Sequence, residues 1–93
     1  MKKRTFASVW DAIEGTPEAA ASMRVRAELM IAVQRYVEAS SETQTKAAKH
    51  LGITQPRLND LLRGRIEKFS LDALVDMLAR VGKQVAVKVK KAA

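Results

Sequence analysis

The stretch from Thr43 to Gly64 constrains this chain more than any other. It reads Thr-Gln-Thr-Lys-Ala-Ala-Lys-His-Leu-Gly-Ile-Thr-Gln-Pro-Arg-Leu-Asn-Asp-Leu-Leu-Arg-Gly. Two short helical patterns, Gln44 to Leu51 and Gln55 to Arg63, flank Gly52-Ile53-Thr54. Helices separated by three residues must cross closely at a fixed angle. Ala48 is small where that crossing is tightest, and Ala47 and Leu51 face inward. Gly52 stands where the turn favours a positive φ, which glycine reaches cheaply. Ile53 plugs the turn and Thr54 caps the second helix. Leu58 and Leu61 return that helix to the core, and Gly64 ends it. Small, flexible and apolar residues thus occupy the positions where two tightly crossed helices are demanding. The window predicts a helix-turn-helix; an ordinary helical hairpin would not need this combination.

Pro56 suits the first turn of the second helix but biases Gln55 away from helical angles. The helix is therefore expected to begin about one residue late. Its outward face is polar: Gln55, Arg57, Asn59, Asp60 and Arg63. Asn and Gln can bond adenine bidentately, Arg can bond guanine, and a carboxylate can accept from cytosine. Gln55, Arg57, Asn59 and Asp60 are the expected base readers. Thr43, Gln44, Lys46, Thr54, Arg63, Arg65 and Lys68 flank them and suit phosphate contacts. Asp60 is the odd member, because a carboxylate near phosphates is unfavourable unless it reads a base or pairs with Arg57 or Arg63.

Charge is distributed in keeping with this face. The chain of 93 residues carries a net +7. Residues 1–42 hold six basic and six acidic side chains, residues 43–68 six and two, and residues 69–93 five and two. A positive field confined to the C-terminal half points to a polyanion, and nucleic acid is the commonest one.

Around the window, Ser8-Val9-Trp10-Asp11 has the form of a capping box for a short helix ending near Glu14-Gly15. Thr16-Pro17 opens a long helix to about Ser40, with Met23, Ala27, Met30 and Val37 on one face and Leu29, Val33 and Tyr36 beside them. Leu71, Leu74, Val75, Leu78 and Val81 mark a last helix, capped by Ser70 and stopped by Gly82. Beyond it the period changes. Val85, Val87 and Val89 alternate with Ala86, Lys88 and Lys90, a strand pattern. A lone strand leaves its backbone groups unpaired, and antiparallel pairing with the same strand of a second copy would satisfy them; a frayed basic tail is the other reading. The chain divides into an N-terminal helical segment, 1–42, a core, 43–82, and a strand with a basic tail, 83–93, within one domain.

Several classes are disfavoured. The absence of cysteine excludes disulfides and cysteine-based zinc sites and fits a reducing cytoplasm. No catalytic histidine pair, phosphate loop or carboxylate cluster is present, so neither an enzyme nor a cofactor or metal site is expected. His50, the single histidine, suits a surface or half-buried position. No apolar run approaches the ~20 residues of a membrane span, and Met1-Lys2-Lys3-Arg4 leads into no signal-peptide core.

The segment Thr43 to Gly82 resembles the lambda-repressor-like helix-turn-helix of the Xre family, carried by Thr43-Gln44 and Leu51-Gly52-Ile53-Thr54-Gln55-Pro56. Phe6 to Ile13, Arg26 to Met30, Leu61 to Arg65 and Phe69 to Leu74 extend the likeness to the Xre-type antitoxins of HigBA-like toxin–antitoxin modules. The resemblance implies a mainly α bundle of about five helices, with the C-terminal strand pairing across a homodimer. It implies a cytoplasmic repressor of its own operon that binds double-stranded operator DNA and neutralises a small ribonuclease-type toxin. It places Gln55, Arg57, Asn59 and Asp60 at base-reading positions, and Gln44 and Arg65 at backbone-contacting ones. Phe6, Val9, Trp10 and Ile13, in the region without basic bias, are either the toxin-facing residues or a cover for the core. A stand-alone Xre-type regulator without a toxin partner is the alternative.

Overall fold

A computed structural model describes residues 16–91. Four α-helices lie among them: α1 (Pro17–Ala39), α2 (Gln44–Leu51), α3 (Gln55–Leu62) and α4 (Leu71–Arg80). A single 3₁₀ turn, Ile66–Lys68, joins α3 to α4. The expected helix from Ser8 to Glu14, and with it Phe6, Val9, Trp10 and Ile13, lies outside the described residues. The fifth helical element within them is the 3₁₀ turn, which has no apolar period to announce it.

Each α-helix starts where a hydroxyl can accept a free backbone N–H. Thr16, Thr43, Thr54 and Ser70 accept from the N–H groups of Ala19, Lys46, Arg57 and Ala73, at 3.0, 3.2, 3.3 and 3.1 Å. Each such cap stabilises its helix by roughly 1 kcal/mol. Helix α3 begins at Gln55 rather than one residue late. Pro56 costs nothing there, because the first four N–H groups of a helix have no partner inside it. The Thr54 carbonyl already accepts from Leu58, at 3.0 Å.

One core joins all four helices. Met30 and Val33 of α1, Ala47, Ala48 and Leu51 of α2, and Leu58 and Leu61 of α3 meet Leu74, Met77 and Leu78 of α4. Phe69, just after the 3₁₀ turn, is the largest fully buried side chain. Helix α1 is thus a layer of the same unit, with Leu29, Tyr36 and Val37 half-buried against the core. Its Gln34 Nε2 donates to the Leu61 carbonyl at 2.8 Å, satisfying an acceptor at the end of α3. Ile53 plugs the turn between α2 and α3 from a half-buried position.

The turn itself needs glycine. Gly52 has φ +77°, and a Cβ there would run into the Arg80 side chain, which lies over the turn from α4. Gly52→Ala is therefore expected to destabilise the fold by about 1–2 kcal/mol, the cost of a left-handed residue with a side chain plus displacement of Arg80. Urea denaturation checks this. No loss of stability would mean that the turn tolerates a Cβ.

Residues 83–91 form no strand, and no other strand lies among the described residues to pair with them. Val85 packs against the core, whereas Val87 and Val89 are 81% and 90% exposed. The period-two pattern alone cannot make a strand, because a ladder needs a second backbone.

Candidate nucleic-acid interface

The geometry of the α2–α3 pair decides which polar side chains can act together. Ala48 is buried at the crossing, so the start of α2 lies beside the start of α3. The Thr45 hydroxyl then donates to Gln55 Oε1 at 3.0 Å, across the turn. Gln44, Gln55, Pro56 and Asn59 line one shallow depression on the outer surface. Three carboxamides are thereby brought onto a single patch. Each carries both a donor and an acceptor, which is the chemistry of base edges.

The charged members of the expected reading face lie differently. Arg57 does not project freely. Its guanidinium stacks over the Phe69 ring, 4.5 Å from the centroid, and Nη1 donates to the Lys68 carbonyl at 3.3 Å. Asp60 pairs with neither Arg57 nor Arg63. Its carboxylate oxygens lie 3.8 Å from Arg65 Nη1 and 4.0 Å from Lys68 Nζ. These ion pairs are long and half exposed, worth about 0–1 kcal/mol each, and open readily to a better anion. The reason for the rearrangement is the 3₁₀ turn. It folds Arg65 and Lys68 back beside α3 and brings Phe69 under Arg57.

The flanking residues divide by role. Thr43 and Thr54 spend their hydroxyl oxygens as caps, though a capping hydroxyl still has a hydrogen to donate. Lys46, on α2, and Arg63, at the end of α3, are exposed. Arg65 and Lys68 are exposed as well, beside Asp60 of α3. His50 is exposed on α2, with Nδ1 2.9 Å from Glu42 Oε2, on a surface pair away from that patch.

Reading the sequence alone missed three contacts: Thr45 with Gln55, Arg57 with Phe69, and Gln34 with the Leu61 carbonyl. The first had a signal, a hydroxyl and a carboxamide each in the opening turn of adjacent crossed helices. The other two join residues 12 and 27 positions apart, and no local spacing marks them.

A helix-turn-helix domain family model matches residues 14–90. The chain belongs to that helix-turn-helix family. No curated protein matches it. Among the described residues, no helix is long and apolar enough to cross a membrane.

Proposed function

We propose that the protein is a sequence-specific DNA-binding transcriptional repressor. In this reading it binds its own operator as a homodimer and acts as the antitoxin of a type II toxin–antitoxin module, neutralising a small ribonuclease-type toxin. The observation that carries the DNA-binding part is the exposed carboxamide patch on a helix-turn-helix whose two helices and following turn also carry the exposed cations Lys46, Arg63, Arg65 and Lys68. Helix α3 would lie in the major groove, with Gln55 and Asn59 toward base edges and the cations toward phosphates. Arg57 would reach a base only by leaving Phe69, and Asp60 only by leaving Arg65 and Lys68.

Two exposed valines support the dimer. Val87 and Val89 stand in solvent on a segment that finds no strand to pair with among the described residues. Antiparallel pairing of two such segments would place two α3 helices on one face, suited to half-sites roughly 34 Å apart. Val87→Pro removes one N–H from that ladder and touches no core residue. Sedimentation of the variant is expected to show a monomer. An unchanged dimer would move the interface to α1.

The antitoxin role rests on the family resemblance, with Phe6, Val9, Trp10 and Ile13 as the proposed toxin contact. Co-sedimentation of the full chain with the product of the adjacent reading frame, and with duplex DNA carrying the upstream region of its gene, tests it. A ternary or binary complex that suppresses ribonuclease activity is the expected result. DNA binding with no captured partner would identify a stand-alone regulator instead.

A further inference from the structure

The outer face of α1 has no partner among the described residues, and its charges are ordered. Core contacts run along one side of the helix through Met30 and Val33, with Tyr36 and Val37 half-buried beside them. Away from that side, Val25 and Ile31 stand 47% and 44% exposed. Arg24, Glu28, Arg35 and Glu38 are exposed with them. We infer that this face pairs antiparallel with the same face of a second copy of the chain, through Glu28 and Arg35, as a contact separate from the C-terminal strand.

The order of the residues carries the inference. From its N-terminal end the face reads Arg24, Glu28, Ile31, Arg35, Glu38, at steps of four and three residues that keep to one side of a helix. Its signs are plus, minus, apolar, plus, minus. Reversed, they are minus, plus, apolar, minus, plus, so each charge meets its opposite in an antiparallel copy. A two-fold axis beside Ile31 and Ala32 sets Glu28 against the second copy's Arg35, and Arg35 against its Glu28. The contact is made twice, as an isologous interface requires. Arg24 comes within reach of the second copy's Glu38. At the axis Ile31 meets Ala32, large against small. A parallel copy in register would instead oppose Glu28 to Glu28 and Arg35 to Arg35.

The same charges do little within their own helix. Glu28 and Arg35 are two turns apart, roughly 10 Å along the axis, too far to pair. Arg24 precedes Glu28, and Arg35 precedes Glu38, in the weaker orientation for pairs within a helix. Among the described residues none of the four forms an ion pair; the pairs there join His50 to Glu42, and Arg65 and Lys68 to Asp60. The helix holds three basic and three acidic side chains, so unlike the reading head it does not suit a polyanion. An apolar centre flanked by both signs suits a protein surface, and the reversed copy matches it in size and in sign.

A single helix pair is smaller than a standard interface, so the contact is weak, with association expected on the order of 0.1 mM protein. In dilute solution the strand contact alone decides the mass. On strand-paired dimers the α1 contact builds tetramers; without strand pairing it builds dimers.

Sedimentation equilibrium of the full chain at low salt, from about 0.01 to about 1 mM, spans the range that matters. The parent is expected to double its mass across it. Glu28→Arg and Arg35→Glu each turn both charge contacts into repulsions, and each is expected to raise the concentration needed for doubling about tenfold or more. Mixed in equal amounts, the two single variants again present opposite charges and are expected to associate close to the parent. The variant carrying both exchanges is expected to do so alone. A merely structural loss in either variant gives no recovery on mixing. A constant parent mass, which leaves the face to a different protein, overturns the inference. So do single variants that associate like the parent, or a mixture that stays at the dilute mass. The dilute mass, monomer or dimer, reports on the strand contact separately, so failure of either contact is read by itself.

Discussion

Phe69→Ala is expected to lower the unfolding free energy by about 3–5 kcal/mol, the cost of truncating a buried aromatic ring where neighbours relax only partly. Phe69 is the largest fully buried side chain and follows the 3₁₀ turn that closes α3 onto α4. Its removal leaves a cavity in the one core the four helices share, and it also strips the platform under the Arg57 guanidinium. In a domain of this size a shift of that magnitude moves the melting midpoint by about 12 °C or more. Stabilities of small domains run at about 5–15 kcal/mol, so the variant stands near the limit of folding. Phe69→Leu, costing on the order of 1 kcal/mol, gives a second point on the same scale. Urea denaturation of the two variants reads the effect. A loss below about 1 kcal/mol for the alanine variant would show that the ring does not anchor the core.

DNA binding is expected to fall about 10³–10⁵-fold between 50 and 200 mM salt, the behaviour of a protein that neutralises six to ten phosphates. Lys46, Arg63, Arg65 and Lys68 supply four cations to each reading head, and the proposed dimer would supply eight. Counterion release then gives a log–log slope of about −7. Arg65 and Lys68 must exchange Asp60 for phosphate, so their share is less than that of Lys46. Titration by fluorescence anisotropy at several salt concentrations measures the slope. Lys46→Ala is expected to flatten it by about one per head and to weaken binding to all sequences alike. Asn59→Ala is expected to leave the slope in place, cost about 1–3 kcal/mol of specific binding and relax one base position. A slope shallower than about −2 for the parent would mean that these cations do not face phosphates.

Core burial and the polar reading face depend on the sequence in different ways, one through local patterns and the other through distant partners. Most helix boundaries were readable because caps, proline positions and apolar periods are local, although α3 starts at Gln55 itself and not one residue later. Thr16, Thr43, Thr54 and Ser70 each cap the helix that follows within three residues. Gly52 was readable for the same reason, since a left-handed turn between two close helices leaves few other choices. The outward polar face of α3 was readable because the period of a helix sorts Gln55 and Asn59 from Leu58 and Leu61. The pairing of Asp60 with Arg65 and Lys68, instead of Arg57 or Arg63, was not. It depends on a 3₁₀ turn whose three residues carry no apolar repeat. The valines at 85, 87 and 89 show the same boundary from the other side. Their alternation is a strand pattern, but one chain provides no partner for it among the described residues.

The sequence by itself therefore determined where most of the described helices start and stop, many of the residues that enter the core, and that the window from Thr43 to Gly64 forms a helix-turn-helix. These follow from propensity, capping and hydrophobic period, which act over a few neighbouring residues. It did not mark Phe69 or Met77 as buried, and Leu71 and Val75 of the expected apolar face of α4 are exposed. Only the tertiary structure decided how the polar face is used. It stacked Arg57 on Phe69, drew Asp60 to Arg65 and Lys68, and tied Gln55 to Thr45. Side-chain orientation at a crossing of helices is set by partners distant along the chain, and their approach exists only once the core has closed.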